Sequence, residues 1–436
     1  MKRLVAVVLL QYTCGFVTET KYRIGNRTYV EKFEQPWFRV MHYDHDRIEP
    51  AEKEKSAFGK HYVPDDDVFV APDWSEREAQ YLPCMNLKCV CPYFNGKSDD
   101  EGTCHLPKMR PLKKAKRVEL RSLSDSQRRG IEKAWNRMKE SGVYNRIGRV
   151  HKEHAEDERL GIPYWDSTLD SMLPTPKDSI IFSHLFLGEV DEDGYVKNGP
   201  YHNWKTMEGR EQILRQFDYD TSGELLNNAR VDWLVNNPDI NMILSASMPL
   251  TTCPLKHTLD ARLLEFSHDY VHFFINGDMS KSYSSSNDII FVYHHSMIDL
   301  IFETWRQNMQ NRTQRETEYP ESDDRCFPYW HFAESDMPLL QPLKNRDALS
   351  NDYNDHLYEY EERPTCDRVT RDCHSKYLFC HVPESEAEDP YCMSKVRHEG
   401  DCTGFEGTPI CYWGTCTQGK CTEAKEPPKH KDTYYM

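Results

Sequence analysis

Three observations predict a mainly helical protein with long loops and a small disulfide-rich module at its C-terminal end. Apolar residues recur at helical spacing behind residues that cap helices. A proline-broken stretch of weak periodicity separates these segments, and eight of the 15 cysteines crowd into residues 366–421.

The first helix is expected to open at Ser124-Asp125, where either side chain can cap. Ile131, Trp135 and Met138 follow at spacings of four and three and give it one apolar face. Residues 163–250 read as loop, interrupted by Pro163, Pro174, Pro176, Pro200, Pro238 and Pro249. A second helix is placed over about 258–275. A third follows the capping residues Ser286-Asn287-Asp288 and runs to about Asn308, with Phe291, Ile298, Ile301 and Trp305 recurring near helical spacing. These readings divide the chain into a signal peptide (1–19), an N-terminal extension with a cysteine cluster (20–115), a central domain (116–365) and a cysteine-rich module with a polar tail (366–436).

Met1-Lys2-Arg3 followed by the apolar run Leu4 to Leu10 has the form of a secretory signal. No later stretch approaches the ~20 apolar residues that span a bilayer. Without Cys14 the remaining cysteines fall into even sets: Cys84, Cys89, Cys91 and Cys104; the pair Cys253 and Cys326; and the eight from Cys366 to Cys421. Even sets suit disulfides in a secreted chain, and disulfides are preferred to a zinc site for the first cluster. In the last set Gly414 and Gly419 are expected in tight turns, and docking of this module to matrix or a protein partner is a reading motivated by its position alone. Asn26-Arg27-Thr28 and Asn311-Arg312-Thr313 have the form of N-glycosylation acceptors. The net charge of −16 argues against nucleic acid or anionic lipid as partners, because both demand a basic surface. One basic run, Lys113-Lys114-Ala115-Lys116-Arg117, stands out; it reads as a solvated stretch before a helix, or as a processing site for removing the N-terminal segment.

His268 and His272 lie four residues apart, so on a helix their imidazoles share one face, one turn apart. Neutral imidazole ligates copper or zinc. After the linker Asn276-Gly277-Asp278-Met279 a capped helix carries His294-His295, and antiparallel packing would bring His295 opposite the first pair, as bundles build metal sites. The same residues admit a second reading. His268-Asp269-Tyr270-Val271-His272 has the spacing of the zinc-protease motif, with Asp, one methylene shorter, in place of Glu.

Together with Ser286-Asn287-Asp288, Phe291-x2-His294-His295-x3-Asp299 and Trp305, this pattern resembles the copper-B half of tyrosinases, in particular the secreted invertebrate tyrosinase-like proteins. The resemblance extends to Leu123-Ser124-Asp125, Tyr144-Asn145-Arg146-Ile147 through His151, Pro163-Tyr164-Trp165-Asp166, Asn198-Gly199-Pro200 with Trp204, Arg315-Glu316-Thr317-x-Tyr319-Pro320, His331-Phe332-Ala333 and Leu349-Ser350-Asn351, covering about residues 80 to 365. It implies a type-3 copper four-helix bundle with three histidines to each of two coppers, oxidising phenols or catechols with dioxygen. His268, His272 and His295 would then hold one copper. His294 would pack or hydrogen-bond behind them, and Asp269, where family members often carry Asn, would help to deprotonate the phenol. His151 matches the first ligand of the other copper.

The copper-A half is shorter than that pattern. Eleven residues, 152–162, separate His151 from Pro163, and they contain no Trp and only one spare histidine, His154. At ~1.5 Å per residue they could form a few helical turns but not a loop plus a core helix. One bundle helix is therefore missing, and Ile289 stands where the family has proline. Three readings follow: a secreted tyrosinase-like copper oxidoreductase, a non-catalytic secreted protein holding at most one metal, and a zinc endopeptidase.

Overall fold

The computed structural model describes the strand segments 19–24, 27–32 and 43–44 and residues 84–107, 110–142, 144–145, 161–217, 223–244, 260–281, 284–323, 331–335 and 343–422. The signal-like segment, Asn26, His151, His154, Cys253, Cys326 and the polar tail lie outside the described residues.

Strands β1 (Glu19–Ile24), β2 (Arg27–Lys32) and β3 (Tyr43–Asp44) form an antiparallel sheet. The first cysteine cluster is a knot of two disulfides, Cys84–Cys89 and Cys91–Cys104, as expected. It contains a one-turn helix α1 (Leu87–Val90) and the small sheet β4 (Lys97–Ser98), β5 (Cys104–Leu106) and β6 (Arg110–Pro111). Its apolar side chains, Cys91, Cys104, Leu106 and Leu112 with Leu87, Val90 and Phe94, make a core of their own.

The basic run departs from expectation. Ala115–Arg117 is a strand, β7, paired in parallel with β8 (Tyr358–Tyr360). Lys116 reaches the surface carboxylate of Glu361, but Arg117 is only 1% exposed. Its guanidinium lies 3.5 Å over the Tyr358 ring and donates to Asp299 at 3.0 Å. A buried counter-charge, invisible from local sequence, has drawn one cation out of a solvated run.

Helix α2 spans Asp125–Glu140 and buries Ile131, Ala134, Trp135 and Met138, the face the spacing predicted. Ser124 caps it through a full capping box with Gln127. Ser124→Ala should therefore cost about 1 kcal/mol of stability, measurable by urea unfolding. The segment read as loop does hold short helices: α3 (Thr168–Ser171), α4 (Asn228–Val235) and α5 (Asn241–Leu244). The longest of these, α4, is capped by Asn227 and buries Val231, Leu234 and Val235, too short a face to stand out among the prolines.

Helix α6 (Leu264–Ile275) begins later than the expected 258. Asp260 accepts the Arg262 N–H in a turn, and Leu263 stays extended (φ −53°, ψ 153°), which delays the first helical residue. Helix α7 (Ile290–Met309) matches expectation, but Asn287 does not cap it. Its side-chain oxygen takes the Met207 N–H (2.8 Å), while Asp288 receives the Ile290 N–H (3.2 Å) and a bidentate pair from buried Arg215. Ile289 sits in the first turn, fully buried. α7 packs on α4, where Trp305 and Asn308 donate to the carbonyls of Asn237 and Val235. One large hydrophobic cluster joins α2, α4, α6, α7 and the loops around Trp165, Phe182 and Trp204. A short helix α8 (Arg312–Thr317) follows, capped by Asn311.

The C-terminal segment carries four disulfides, Cys366–Cys380, Cys373–Cys392, Cys402–Cys416 and Cys411–Cys421. They staple the hairpins β9 (Leu378–His381)/β10 (Tyr391–Ser394) and β11 (Thr415–Thr417)/β12 (Lys420–Thr422). The second hairpin turns through Gln418 and Gly419 at φ +52° and +74°, a conformation that favours glycine. This segment is held against the body rather than hanging from it. Ser179 and Ser394 meet through their hydroxyls at 2.8 Å, Arg397 pairs with Asp178 at 2.6 Å, and Tyr377 packs edge-on against Phe186.

Asp125 completes that attachment by accepting from Lys376 and Tyr377, each at 2.6 Å. Burial alone would raise its carboxyl; the hydrogen bonds from Lys376 and Tyr377 outweigh burial and bring it down to about 2, from 3.8. A depressed carboxylate contributes stability that is complete above its unfolded value and is lost as pH falls through its folded one. Loosening of the C-terminal segment is therefore expected between about pH 4 and pH 2, and hydrogen exchange at β9 and β10 would follow it. An Asp125→Asn variant should lose this pH dependence.

Candidate metal centre

Helices α6 and α7 and the tight connection between them build the site. After His272 the chain turns at Asn276 (φ +52°) and Gly277 (φ +59°). A side chain at Gly277 would meet the Leu214 carbonyl oxygen at 2.3 Å, so the turn requires glycine here. Arg210 and the Leu214 N–H both bond Asp278, fixing the connection to the loop beneath.

The structure brings His268, His272, His294 and His295 together, all buried, with Asp269 beside them. Ring centroids are 4.4 Å apart for His268–His272, 4.7 Å for His268–His295 and 5.3 Å for His272–His295. Three of the rings are held by oxygen acceptors at Nδ1. His268 meets the Asp269 carboxylate (3.0 Å), His272 the Met279 carbonyl (2.7 Å) and His295 the Phe291 carbonyl (2.7 Å). Acceptor-only partners place the proton on Nδ1 and leave the Nε2 lone pair for a ligand, the arrangement that supports metal-binding histidines. The Nε2 atoms of His268 and His295 face each other at 2.8 Å, and Nε2 of His272 is buried without a hydrogen-bond partner. Converging lone pairs repel one another unless a cation lies among them, so this donor set fits a metal ion.

His294 is used differently. Its Nε2 lies 3.2 Å from the His268 carbonyl and donates to it, bracing α7 against α6, and its ring stacks on His268 at 5.2 Å. Its Nδ1 is buried with no hydrogen-bond partner, and ligand atoms of His268, His272 and His294 also lie within 4.8 Å of one another. Nε2 of His295 approaches that of His268 at 2.8 Å with its own Nδ1 on the Phe291 carbonyl, so either His294 or His295 can complete a three-histidine set.

All four imidazoles are held neutral, the form that ligates. Burial lowers His268 and His272 to about 3. Burial, then neighbouring histidines, keeps His294 and His295 well below the ordinary value.

Sequence reasoning missed Glu265. It lies in the first turn of α6, four residues before Asp269 and three before His268, and is 6% exposed. Burial, then the Asp269 charge, raises its carboxyl well above the usual range. Its spacing on the His268 face was the available signal. Phe291, with its ring centroid 3.9 Å from that of His295, and Trp165, edge-on to His294 at 6.3 Å, wall the cluster. One turn beyond His295, Asp299 anchors α7 by accepting from Arg117, Tyr358 (2.8 Å) and Tyr360 (2.7 Å).

The family model described as the common central domain of tyrosinase matches residues 131–308. A tyrosinase-like protein of Caenorhabditis elegans is 33% identical over 386 residues, 82% of this chain and 54% of that protein. Tyrosinase-like protein 1 of Margaritifera margaritifera is 28% identical over 221 residues, 50% of this chain and 42% of the relative. The chain thus spans about half the length of the relatives it matches. Among solved structures, a polyphenol oxidase from Thermothelomyces thermophila aligns with a TM-score of 0.40 at 17% identity, covering 59% of this chain and 90% of that one. The central-domain match covers α6 and all of α7 but its last residue, and the nematode relative extends the likeness over most of the sequence. The chain belongs to the tyrosinase family.

Proposed function

We propose that this chain is a secreted copper protein of the phenol-oxidising type, with His268, His272 and His295 holding one copper of a type-3 pair through Nε2. The observation that carries the reading is the convergence of the His268 and His295 Nε2 atoms at 2.8 Å, with each Nδ1 already engaged. Copper bound there supplies the redox chemistry by which dioxygen oxidises a phenol or catechol. The chain's own residues do the rest. Asp269 fixes the His268 ring and accepts the phenolic proton, and Phe291 and Trp165 exclude water. His294 sets the spacing of the two helices, and His151 belongs to the second copper. The disulfides suit an oxidising compartment, and no described helix is long and apolar enough to cross a membrane.

A second reading, a non-catalytic secreted protein with a single metal, is favoured by the eleven residues between His151 and Pro163. Family membership sets the zinc endopeptidase reading aside. Metal analysis of copper-loaded protein, combined with an assay for quinone formation from a catechol, separates the other two. Two coppers per chain with turnover supports the oxidoreductase; one copper without turnover supports the single-metal protein.

A further inference from the structure

The geometry points to a proteolytic processing site at the Lys113-Lys114 pair, where a protease that cleaves after lysine detaches the N-terminal portion from the copper-binding body. This does not depend on the copper reading. The basic run contains two pairs, and the fold treats them oppositely. Lys116-Arg117 lies within β7, paired residue by residue with β8, and Arg117 is held under Tyr358 with its guanidinium on Asp299. Presenting that pair to a protease means pulling a strand and a buried charge out of the core. Lys113 is exposed, and Lys114 pairs at the surface with the exposed carboxylate of Glu359 at 3.3 Å. Neither residue belongs to a helix or strand.

What flanks the pair sets the consequence of a cut. On its N-terminal side β6 is a two-residue edge strand, exposed along its length, and Leu112 is held by one backbone bond to Cys104 and the knot's small core. Releasing Arg110 to Leu112 is a local opening that leaves both disulfides and the body intact, so the extended stretch a protease needs is cheaply reached. On its C-terminal side pairing starts at Ala115, which stays in place after cleavage. All four cysteines of the knot are paired within it, so among the described residues no disulfide crosses the cut. Water adds across the amide, leaving a carboxylate on the lysine and a new amino terminus at Lys114 or Ala115, and the two pieces part without a reductant. A protease with a carboxylate in its specificity pocket matches the lysine side chain.

The test is limited proteolysis of the folded full chain with trypsin, followed by non-reducing electrophoresis and amino-terminal sequencing. The stable product is expected to begin at Lys114 or Ala115 and to separate from the knot without reductant. Lys113→Gln/Lys114→Gln should slow its appearance at least tenfold, while Lys116→Gln leaves the rate unchanged. Both changes are at surface side chains and do not threaten folding. A stable product that retains the knot, one that begins after Arg117, fragments that stay joined until reduction, or an unchanged rate in the double variant would each overturn the proposal.

Discussion

His295→Ala is expected to weaken copper binding at least about 100-fold, or ~2.7 kcal/mol, because it removes a donor where loss of a supporting partner alone costs 10–100-fold. The side chain is buried, with Nδ1 on the Phe291 carbonyl and Nε2 2.8 Å from that of His268. His294→Ala is the necessary comparison. It removes the bond to the His268 carbonyl and the stacked ring, and should cost about tenfold without changing the number of coppers bound. Competition with a chromophoric chelator under anaerobic conditions measures both variants, with far-ultraviolet circular dichroism to check the fold. If His294→Ala loses as much affinity as His295→Ala, the third donor is His294 and the assignment fails.

Asp299→Ala should destabilise the folded chain by ~3–5 kcal/mol, the cost of leaving a buried charge without its partner. Asp299 is fully buried and accepts from Arg117, Tyr358 and Tyr360, so its loss leaves a guanidinium that is 1% exposed without its counter-charge. The effect should show as a lower urea midpoint with an unchanged slope. Because Asp299 lies one turn beyond His295, copper affinity should fall as well, though less than in His295→Ala. A loss below 1 kcal/mol would mean that water reaches Arg117 and that the cluster is not a dry anchor.

His268, His272, His294, His295 and Asp269 were legible in the sequence, because helical spacing is local and a short capped linker constrains two helices to lie antiparallel. So were α2 and α7, whose caps and apolar faces are written within a few residues, and the even cysteine sets, of which six disulfides lie among the described residues. The destination of Arg117 was not legible. Its counter-charge is 182 positions away and its aromatic cover 241 and 243, so a basic run read by itself could only be assigned to solvent. Nor could the sequence divide that run into a protected pair and an accessible one, or show that the C-terminal disulfide segment is clasped through Asp125, Asp178 and Ser179.

By itself, then, the sequence determined the family, the helices that carry the histidines and which residue types could ligate. The fold sets which ring nitrogens meet oxygen acceptors, that His294 bonds the His268 carbonyl, and that Glu265 is buried one turn before the histidines. Spacing along a helix is a local property of the chain. A tautomer, a buried ion pair and an accessible peptide bond are set by whatever the fold brings alongside.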